Sequence, residues 1–305
     1  MESNDSADIW EDYALSDGDP VIARQVLARH LTTMSSKVRL YADEPEFRAS
    51  LAVVASSFQA EAHPSDVGEI GLAVFRPDAI HSAKVLPTLE YFSAVGLMPV
   101  ATAEVNIDEA TICTLWRYQL NAATLSRVDL MKRIFAAGPS LLVLFRWSAT
   151  RRFVDVPTSV VMSDLKGEGQ PSLREGWELR SVLSSPHKLE SYVHIADEPA
   201  DVIRDAGLIV GAKDVSRLWR QWRRGEDVSR MVLSRATELG AVRGDSKLWM
   251  ELRQSETTKL VHRDIDNLVN DSGSAGWWRD SDGGLRPSGV VQMMRDSRVL
   301  GGSAG

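Results

Sequence analysis

The sequence predicts an α+β protein, in which strands and helices alternate through the middle of the chain. One observation is a set of short apolar or β-like runs bounded by turn residues, which are typical of strands. These runs are residues 70–75, 97–105, 140–147 and 177–183. A second observation is that the segments between them place apolar residues at helical spacing. A third is a hydrophobic content of 44% in 305 residues, which is enough for a substantial core.

Local signals bound the first strand and the helix that follows it. Pro77 ends the run 70–75, because a proline has no backbone N–H to donate to a sheet. Residues 82–95 then show helical spacing, and Gly96 is a natural C-terminal cap. The run 97–105 therefore predicts a second strand that begins directly after this helix.

Two helices and a third strand come next. Asp108 can cap the N-terminus of a helix over 109–121, because its carboxylate can accept from free backbone N–H groups. A further helix is predicted over 126–135. A Gly-Pro dipeptide at 138–139 breaks this helix, so the apolar run 140–147 predicts the third strand.

The fourth predicted strand lies upstream of a histidine. Residues 148–176 are expected to be irregular, and 177–183 is predicted as the strand. His194 follows after a short linker and stands just before a predicted acidic helix over 197–205. Four strands separated in this way predict a ferredoxin-like split βαβ, a four-stranded antiparallel sheet with helices on one face.

Helical extensions are predicted on both sides of this unit, which spans 67–211. Residues 1–66 contain 12 acidic and 5 basic residues, and they are interpreted as an acidic helical extension. Residues 212–270 are interpreted as a basic helical extension. Residues 271–305 are rich in glycine and serine, which predicts a flexible tail.

The basic extension has two interpretations. Trp219 and Trp222 are three residues apart and share one helical face, among several arginines. Arginines that meet phosphates and tryptophans that stack on bases would bind nucleic acid. In the commoner arrangement, which we prefer, the tryptophans pack on the central unit and the arginines face solvent.

Composition excludes several classes of protein. A net charge of −7 argues against a dedicated nucleic-acid binder. No run approaches the roughly 20 apolar residues of a membrane span, and the acidic start has no signal-peptide core, so a cytoplasmic location is expected. Cys113 is the only cysteine, which excludes intramolecular disulfides and cysteine-rich zinc sites. No metal site is predicted.

Five short motifs stand between residues 69 and 211 in a recognisable order. They are Arg76-Pro77-Asp78-Ala79, Gly96, Ala137-Gly138-Pro139, Leu173-Arg174-Glu175-Gly176-Trp177 and Ser191-Tyr192-Val193-His194-Ile195-Ala196-Asp197. With these motifs the unit resembles the nucleoside diphosphate kinase family. That family has Lys-Pro-Asp at the first motif, and its active-site histidine lies in an Asn-x-x-His-Gly-Ser-Asp signature at the last. The resemblance covers a little under half of the chain and implies a ferredoxin-like fold.

The resemblance also implies a mechanism. In the family, a histidine takes the γ-phosphate of a nucleoside triphosphate and passes it to a diphosphate, which splits one transfer into two easier ones. His194 would form the phosphohistidine, Asp205 would orient its ring, and Tyr118 would stand close by. Mg²⁺ would arrive with ATP or another nucleoside triphosphate. The family also implies a homo-oligomer.

Cations must neutralise the phosphates during such a transfer. Arg76 matches the family's lysine and Arg174 matches its arginine, while Ser191 stands where the family has the asparagine that contacts the nucleotide. Ile195 and Ala196 replace the family's Gly-Ser beside the histidine. These departures keep a second hypothesis open, which is a nucleotide-binding or scaffolding module without full catalysis. Its flanking helices would bind a partner protein or RNA.

Overall fold

The computed structural model describes residues 5–61, 64–120, 125–148, 156–186 and 191–241. The strands are β1 (Gly71–Phe75), β2 (Leu97–Val105), β3 (Ser140–Trp147) and β4 (Val193–Ile195). The helices before β3 are α1 (Asp5–Leu15), α2 (Pro20–Val26), α3 (Ser35–Ala42), α4 (Pro45–Glu61), α5 (Pro77–His81), α6 (Val85–Ala94), α7 (Glu109–Leu115), α8 (Arg117–Leu120) and α9 (Leu125–Ala136). Those after it are α10 (Thr158–Lys166), α11 (Leu179–Val182), α12 (Pro199–Val210), α13 (Ala212–Arg224) and α14 (Ser229–Ala241).

The four strands form one antiparallel sheet in the order β2-β3-β1-β4. Each neighbouring pair is antiparallel, and β1 and β3 are the central strands. In chain order the unit is strand, helices, strand, helices, strand, helices, strand, helix, with helical crossovers from β1 to β2 and from β3 to β4. The predicted α+β class with a ferredoxin-like four-stranded sheet is therefore confirmed.

The predicted position of the fourth strand is wrong. Residues 179–182 form α11, because Leu179 and Leu183 stand four apart and bury the same helical face. The strand that completes the sheet is β4, a three-residue edge strand that contains His194 itself. Residues 158–166, predicted as irregular, form α10, with Val161 and Leu165 buried at helical spacing. The histidine is thus held by sheet hydrogen bonds, and not by a linker.

Helices cover both faces of the sheet, although the sequence indicated only one. Successive strand residues alternate between two hydrophobic clusters, as the pleat requires. Leu72 and Val74 belong to a cluster with residues of α4, α7, α9, α12 and α13, whereas Ala73 and Phe75 belong to one with residues of α6, α10 and α14. The first cluster also contains Ile9, Leu51 and other residues of the N-terminal helices. The segment before β1 therefore shares a core with the sheet.

Helix α4 packs along α12, and one close approach fixes their distance. Gly207 on α12 has no room for a side chain, because a Cβ built there would lie 2.5 Å from Ser50 Cβ on α4. Polar contacts tie the start of α12 to α3. Asp201 accepts from Lys37 Nζ and Tyr41 Oη, each at 2.6 Å.

Gly207→Ala should therefore lower the free energy of unfolding by about 1–3 kcal/mol, because the new methyl group overpacks this contact. Urea unfolding measures the change. Ser50→Gly, which removes the opposing atoms, should recover part of the loss in the double variant. Gly68→Ala is the matched control, since no heavy atom lies within 4 Å of its Cβ position. Equal stabilities of Gly207→Ala and Gly68→Ala would contradict the prediction.

The outer side of β2 is covered by α13 and α14, both of which contact this strand. Trp219 and Trp222 are each 4% exposed and belong to the core, and the Arg146 guanidinium lies 5.3 Å from the Trp222 ring centroid. The tryptophans are therefore packed and cannot stack on bases. The Val228 N–H donates to the Pro99 carbonyl of β2 at 2.9 Å. The rest of the predicted basic extension beyond residue 241, and the tail 271–305, lie outside the described residues.

Across the described ranges, no helix has the length and apolar character needed to cross a membrane.

Candidate functional site

His194 and Asp205 form a hydrogen-bonded pair between β4 and α12. The backbone of His194 is in register with Val74 of β1, and its side chain is 21% exposed. Asp205 is buried, and its Oδ2 lies 2.7 Å from His194 Nε2. A carboxylate accepts only, so it places the ring hydrogen on Nε2 when the imidazole is neutral. Nδ1 then carries the lone pair that a nucleophile needs.

The local sequence explains how the pair forms. The Ala196 N–H continues the sheet by donating to the Leu72 carbonyl, and α12 begins at Pro199, a residue suited to the first helical turn. Because this connection is short, α12 packs on the same face of the sheet as the His194 side chain. Ile195 points into the cluster on the opposite face, and Ala196 is buried in the cluster on the His194 face. Both residues that replace the expected Gly-Ser therefore serve as packing residues here.

Aromatic rings connect His194 to Arg76. Trp116 meets the His194 ring edge-on, with centroids 5.4 Å apart and an interplanar angle of 77°. Phe135 lies 5.4 Å from Trp116, and the Arg76 guanidinium carbon lies 5.5 Å from the Phe135 centroid. We call Trp116 and Phe135 the aromatic wall. Sequence reasoning missed both residues, although Trp116 is only two positions from the predicted Tyr118.

Arg76 and Ser191 are brought together at the end of β1. Arg76 Nη1 donates to Ser191 Oγ at 3.4 Å, and the Arg76 backbone N–H donates to the Tyr192 carbonyl at 3.1 Å. Arg76 is nevertheless buried and paired with Asp78, whose Oδ1 accepts from Nε at 3.0 Å and whose Oδ2 accepts from Nη2. A phosphate that approached this guanidinium would have to compete with an internal carboxylate.

Tyr118, expected from the resemblance to stand close to the histidine, contacts Glu44, Tyr41 and Arg204 in the structure. Its hydroxyl donates to Glu44 Oε1 at 2.6 Å, and its ring lies 6.0 Å from that of Tyr41. Burial and the bond to Glu44 raise the pKa of Tyr118 to about 12. In this geometry Tyr118 is a neutral donor to Glu44, and Trp116 occupies the position against His194.

Arg174 closes the loop that precedes α11. Its guanidinium donates to the carbonyls of Glu168 at 2.9 Å, Gly169 at 2.6 Å and Ser185 at 2.5 Å. Burial lowers the pKa of Arg174 from its usual value. The three acceptors are main-chain carbonyls and not carboxylates. These bonds therefore hold the loop without neutralising the positive charge of Arg174.

One further buried pair adjoins the histidine pair. Arg204, the residue before Asp205, forms a bidentate bond with Glu44, with Nε–Oε2 and Nη2–Oε1 distances of 2.7 and 3.0 Å. Its Nη1 lies 4.0 Å from Asp205 Oδ1. No sequence pattern indicated this pair, because its partners are 160 residues apart. In the described part of the chain, no group of three or more His, Cys, Asp or Glu residues is arranged to hold a metal ion.

Comparison with solved structures finds proteins of similar fold. The chain is similar to the nucleoside diphosphate kinase of Encephalitozoon cuniculi, with 16% identity and a TM-score of 0.38 over 47% of this chain and 89% of that one. For the enzyme of Borrelia burgdorferi with bound vanadate and ADP, the identity is 15% and the TM-score 0.36 over 46% and 84%. For the enzyme of Halobacterium salinarum in complex with CDP, the identity is 13% and the TM-score is 0.33, and the match covers 42% of this chain and 77% of that one.

No family model matches the sequence, and no curated protein matches it. Similarity at this level says nothing about catalysis, so the residues of the site must carry any functional conclusion.

Proposed function

We propose that the chain is a phosphotransferase of the nucleoside diphosphate kinase type, with His194 as the group that carries the phosphate. The observation that supports this most directly is the 2.7 Å bond between His194 Nε2 and Asp205. It leaves Nδ1 as the nucleophilic nitrogen of a ring that is fixed by the fold and partly open to solvent. A positioned, unprotonated nitrogen is what attack on a phosphoryl group requires.

The proposed reaction has two half-steps that mirror each other. In the first, the Nδ1 lone pair forms a bond to the γ-phosphorus of ATP or another nucleoside triphosphate. The bond from that phosphorus to the bridging oxygen breaks, and the nucleoside diphosphate leaves with its Mg²⁺. In the second, an oxygen of a nucleotide or related acceptor attacks the phosphohistidine, and Nδ1 recovers its lone pair. Asp205 stabilises the positive charge that the ring gains while phosphorus is bound.

The remaining predicted residues take part at different distances from the reacting atoms. Arg76 and Ser191 are proposed to bind the phosphates, once the ion pair between Asp78 and the Arg76 guanidinium has broken. Arg174 is proposed to hold the loop that adjoins the nucleotide. Tyr118 acts through Glu44 and not on the histidine. A homo-oligomeric state and a cytoplasmic location stay predictions.

The test is covalent labelling. The protein is incubated with γ-labelled ATP and Mg²⁺, and the product is expected to be an acid-labile, base-stable phosphoprotein. His194→Ala should take no label, whereas His81→Gln should be labelled like the wild type. No label on the wild type, or equal label on His194→Ala, would show the proposal to be wrong.

A second candidate function is a nucleotide-binding module without phosphotransfer. The pairing of Arg76 with Asp78 favours it, because the cation that lies over Phe135 is already neutralised by an internal carboxylate. In that case the wild type would bind nucleotide but take no label from ATP. The same labelling experiment, combined with nucleotide titration, separates the two candidates.

Asp78→Asn should tighten nucleotide binding about 3- to 10-fold, because the neutral amide competes less well than a carboxylate for the Arg76 guanidinium. The variant keeps an oxygen for the Nε bond, removes the charge, and replaces the acceptor of the Nη2 bond with an NH₂ group that cannot accept. Isothermal titration with ATP and Mg²⁺ measures the dissociation constant. Asp66→Asn, which changes the same charge outside the site, is the matched control. An unchanged or larger constant for Asp78→Asn would refute competition between Asp78 and the phosphate.

A further inference from the structure

We infer that Arg204 and Glu44 position the aromatic wall against His194, so that the N-terminal helices complete the proposed active centre. The inference rests on the phosphotransfer proposed above, and it assigns a role to two residues outside the predicted site. It also gives the N-terminal segment, interpreted from sequence as an extension, a direct connection to the chemistry.

Arg204 is the centre of this arrangement. Its side chain is 2% exposed, and its guanidinium bonds to a carboxylate in the connection between α3 and α4 and to two carbonyls of α7. Besides the bidentate bond to Glu44, Nη1 donates to the Leu115 carbonyl at 2.9 Å and Nη2 to the Thr114 carbonyl at 2.7 Å. The planar fork of arginine suits such a set of fixed acceptors, which a lysine could not satisfy together.

The two carbonyls belong to the last turn of α7, directly before Trp116. The last carbonyls of a helix lack intrahelical partners and carry partial negative charge, so a cation that binds them fixes the helix end. The Trp116 N–H in turn donates to the Ile112 carbonyl at 3.1 Å, which continues the chain from that end. Arg204 therefore sets the place from which Trp116 reaches the His194 ring.

Two consecutive residues of α12 thus contact the two groups of the site: one bonds to His194, and the other bonds to the helix end that carries Trp116. Asp205 holds His194 Nε2 through Oδ2, while its Oδ1 lies 4.0 Å from Arg204 Nη1. Arg204 holds the helix end that carries Trp116. A shift of the Arg204 side chain would disturb both the wall and the charge next to Asp205.

Glu44 is what keeps Arg204 in place. It lies between α3 and α4, is 2% exposed, and also accepts from the Tyr118 hydroxyl, while Arg117 Nη1 lies 3.6 Å from its Oε1. The Tyr41 ring lies 4.9 Å below the guanidinium. Burial by itself would lower the pKa of Arg204, but the bonds from Glu44 raise it above its usual value. A buried guanidinium needs such a partner, because an unpaired buried charge is strongly unfavourable.

The decisive variant is Glu44→Leu/Arg204→Met, which replaces the pair with apolar side chains of similar size. Such replacements are often neutral for stability, so the protein can stay folded while it loses the bonds to Thr114 and Leu115. Thermal unfolding checks the fold. The control is Arg24→Gln/Asp43→Asn, which removes a solvent-exposed ion pair from the same N-terminal segment.

Two readouts separate positioning from stability. Proton–carbon spectra of ¹³C-histidine protein report the His194 ring, assigned with His194→Gln, and its resonances should move in the double variant because the Trp116 ring current changes. The labelling rate at saturating ATP should fall at least tenfold, with the ATP concentration for half-maximal rate within about twofold of the wild type, as expected for a residue that acts on the transition state. Both readouts should match the wild type in the control.

A folded double variant with unmoved His194 resonances and a wild-type labelling rate would overturn the inference. Moved resonances with an unchanged rate would overturn it as well, because the wall would then have no effect on the reaction. If the wild type takes no label at all, the proposed function has failed. In that case the His194 resonances alone decide whether Arg204 and Glu44 position the ring's surroundings.

Discussion

Asp205→Asn should lower the rate of phosphohistidine formation by about 10²–10⁴-fold, because an amide changes the ring nitrogen that carries the proton. The Asn NH₂ group can donate to Nε2, which places the imidazole hydrogen on Nδ1 and removes the attacking lone pair. The amide oxygen, where it faces the ring, lacks the charge that stabilises a cationic ring. Single-turnover labelling with γ-labelled ATP measures the rate, and nitrogen chemical shifts of the His194 ring report the tautomer.

Asp201→Asn provides the matched control. Asp201 lies one turn earlier on α12 and is also buried, but it bonds to Lys37 and Tyr41 and not to the histidine. Its variant should retain the Nε2–H tautomer of His194 and label within a few-fold of the wild type. A labelling rate for Asp205→Asn within threefold of the wild type would remove Asp205 from the mechanism, whatever its distance to the ring.

Arg204→Met should lower the free energy of unfolding by about 3–5 kcal/mol, since it leaves the buried Glu44 carboxylate with only the half-exposed Arg117, 3.6 Å away, as a counter-ion. The Thr114 and Leu115 carbonyls would lose their donor at the same time. Urea unfolding followed by circular dichroism measures the change. Adding Glu44→Leu should recover most of the lost stability, because the uncompensated charge is then gone.

Arg235→Met is the comparison for this prediction. Arg235 bonds to Glu104 and Glu238, but these side chains are 34–57% exposed, and exposed pairs contribute little. Its effect should be much smaller than that of Arg204→Met. If the two variants unfolded at the same urea concentration, the Arg204–Glu44 pair would have to be regarded as no more than a surface contact.

Much of the sheet could be predicted from the sequence, because its three longer strands are continuous apolar runs between glycine and proline signals. β1, β2 and β3 lie where the pattern placed them. β4 could not be found in this way, since only Val193 and Ile195 flank the histidine with buried side chains. Three residues are too few to show the alternation of a strand. The longer run 177–183 was therefore predicted as the fourth strand instead.

In the site, too, residues close together in the sequence could be predicted, and pairs far apart in the sequence could not. His194 and Asp205 are eleven residues apart within one strand–turn–helix unit, and the resemblance to the kinase family over this stretch was enough to associate them. Arg204 looked like any helix arginine, and Glu44 like any acid of an acidic segment. Their contact depends on α4 packing along α12, which only the tertiary structure shows. Long-range pairs of this kind leave no periodic trace in a single sequence.

The covered edge of β2 has a practical consequence for how the chain can be divided. Val228 bonds to Pro99, and Arg235 of α14 bonds to Glu104, so residues outside the predicted unit 67–211 occupy the side of β2 opposite β3. A fragment trimmed to 67–211 would present this strand's free N–H and C=O groups and the apolar surface left by Trp219 and Trp222. Such a fragment should self-associate through strand addition, and its insolubility would reflect the cut, not the fold.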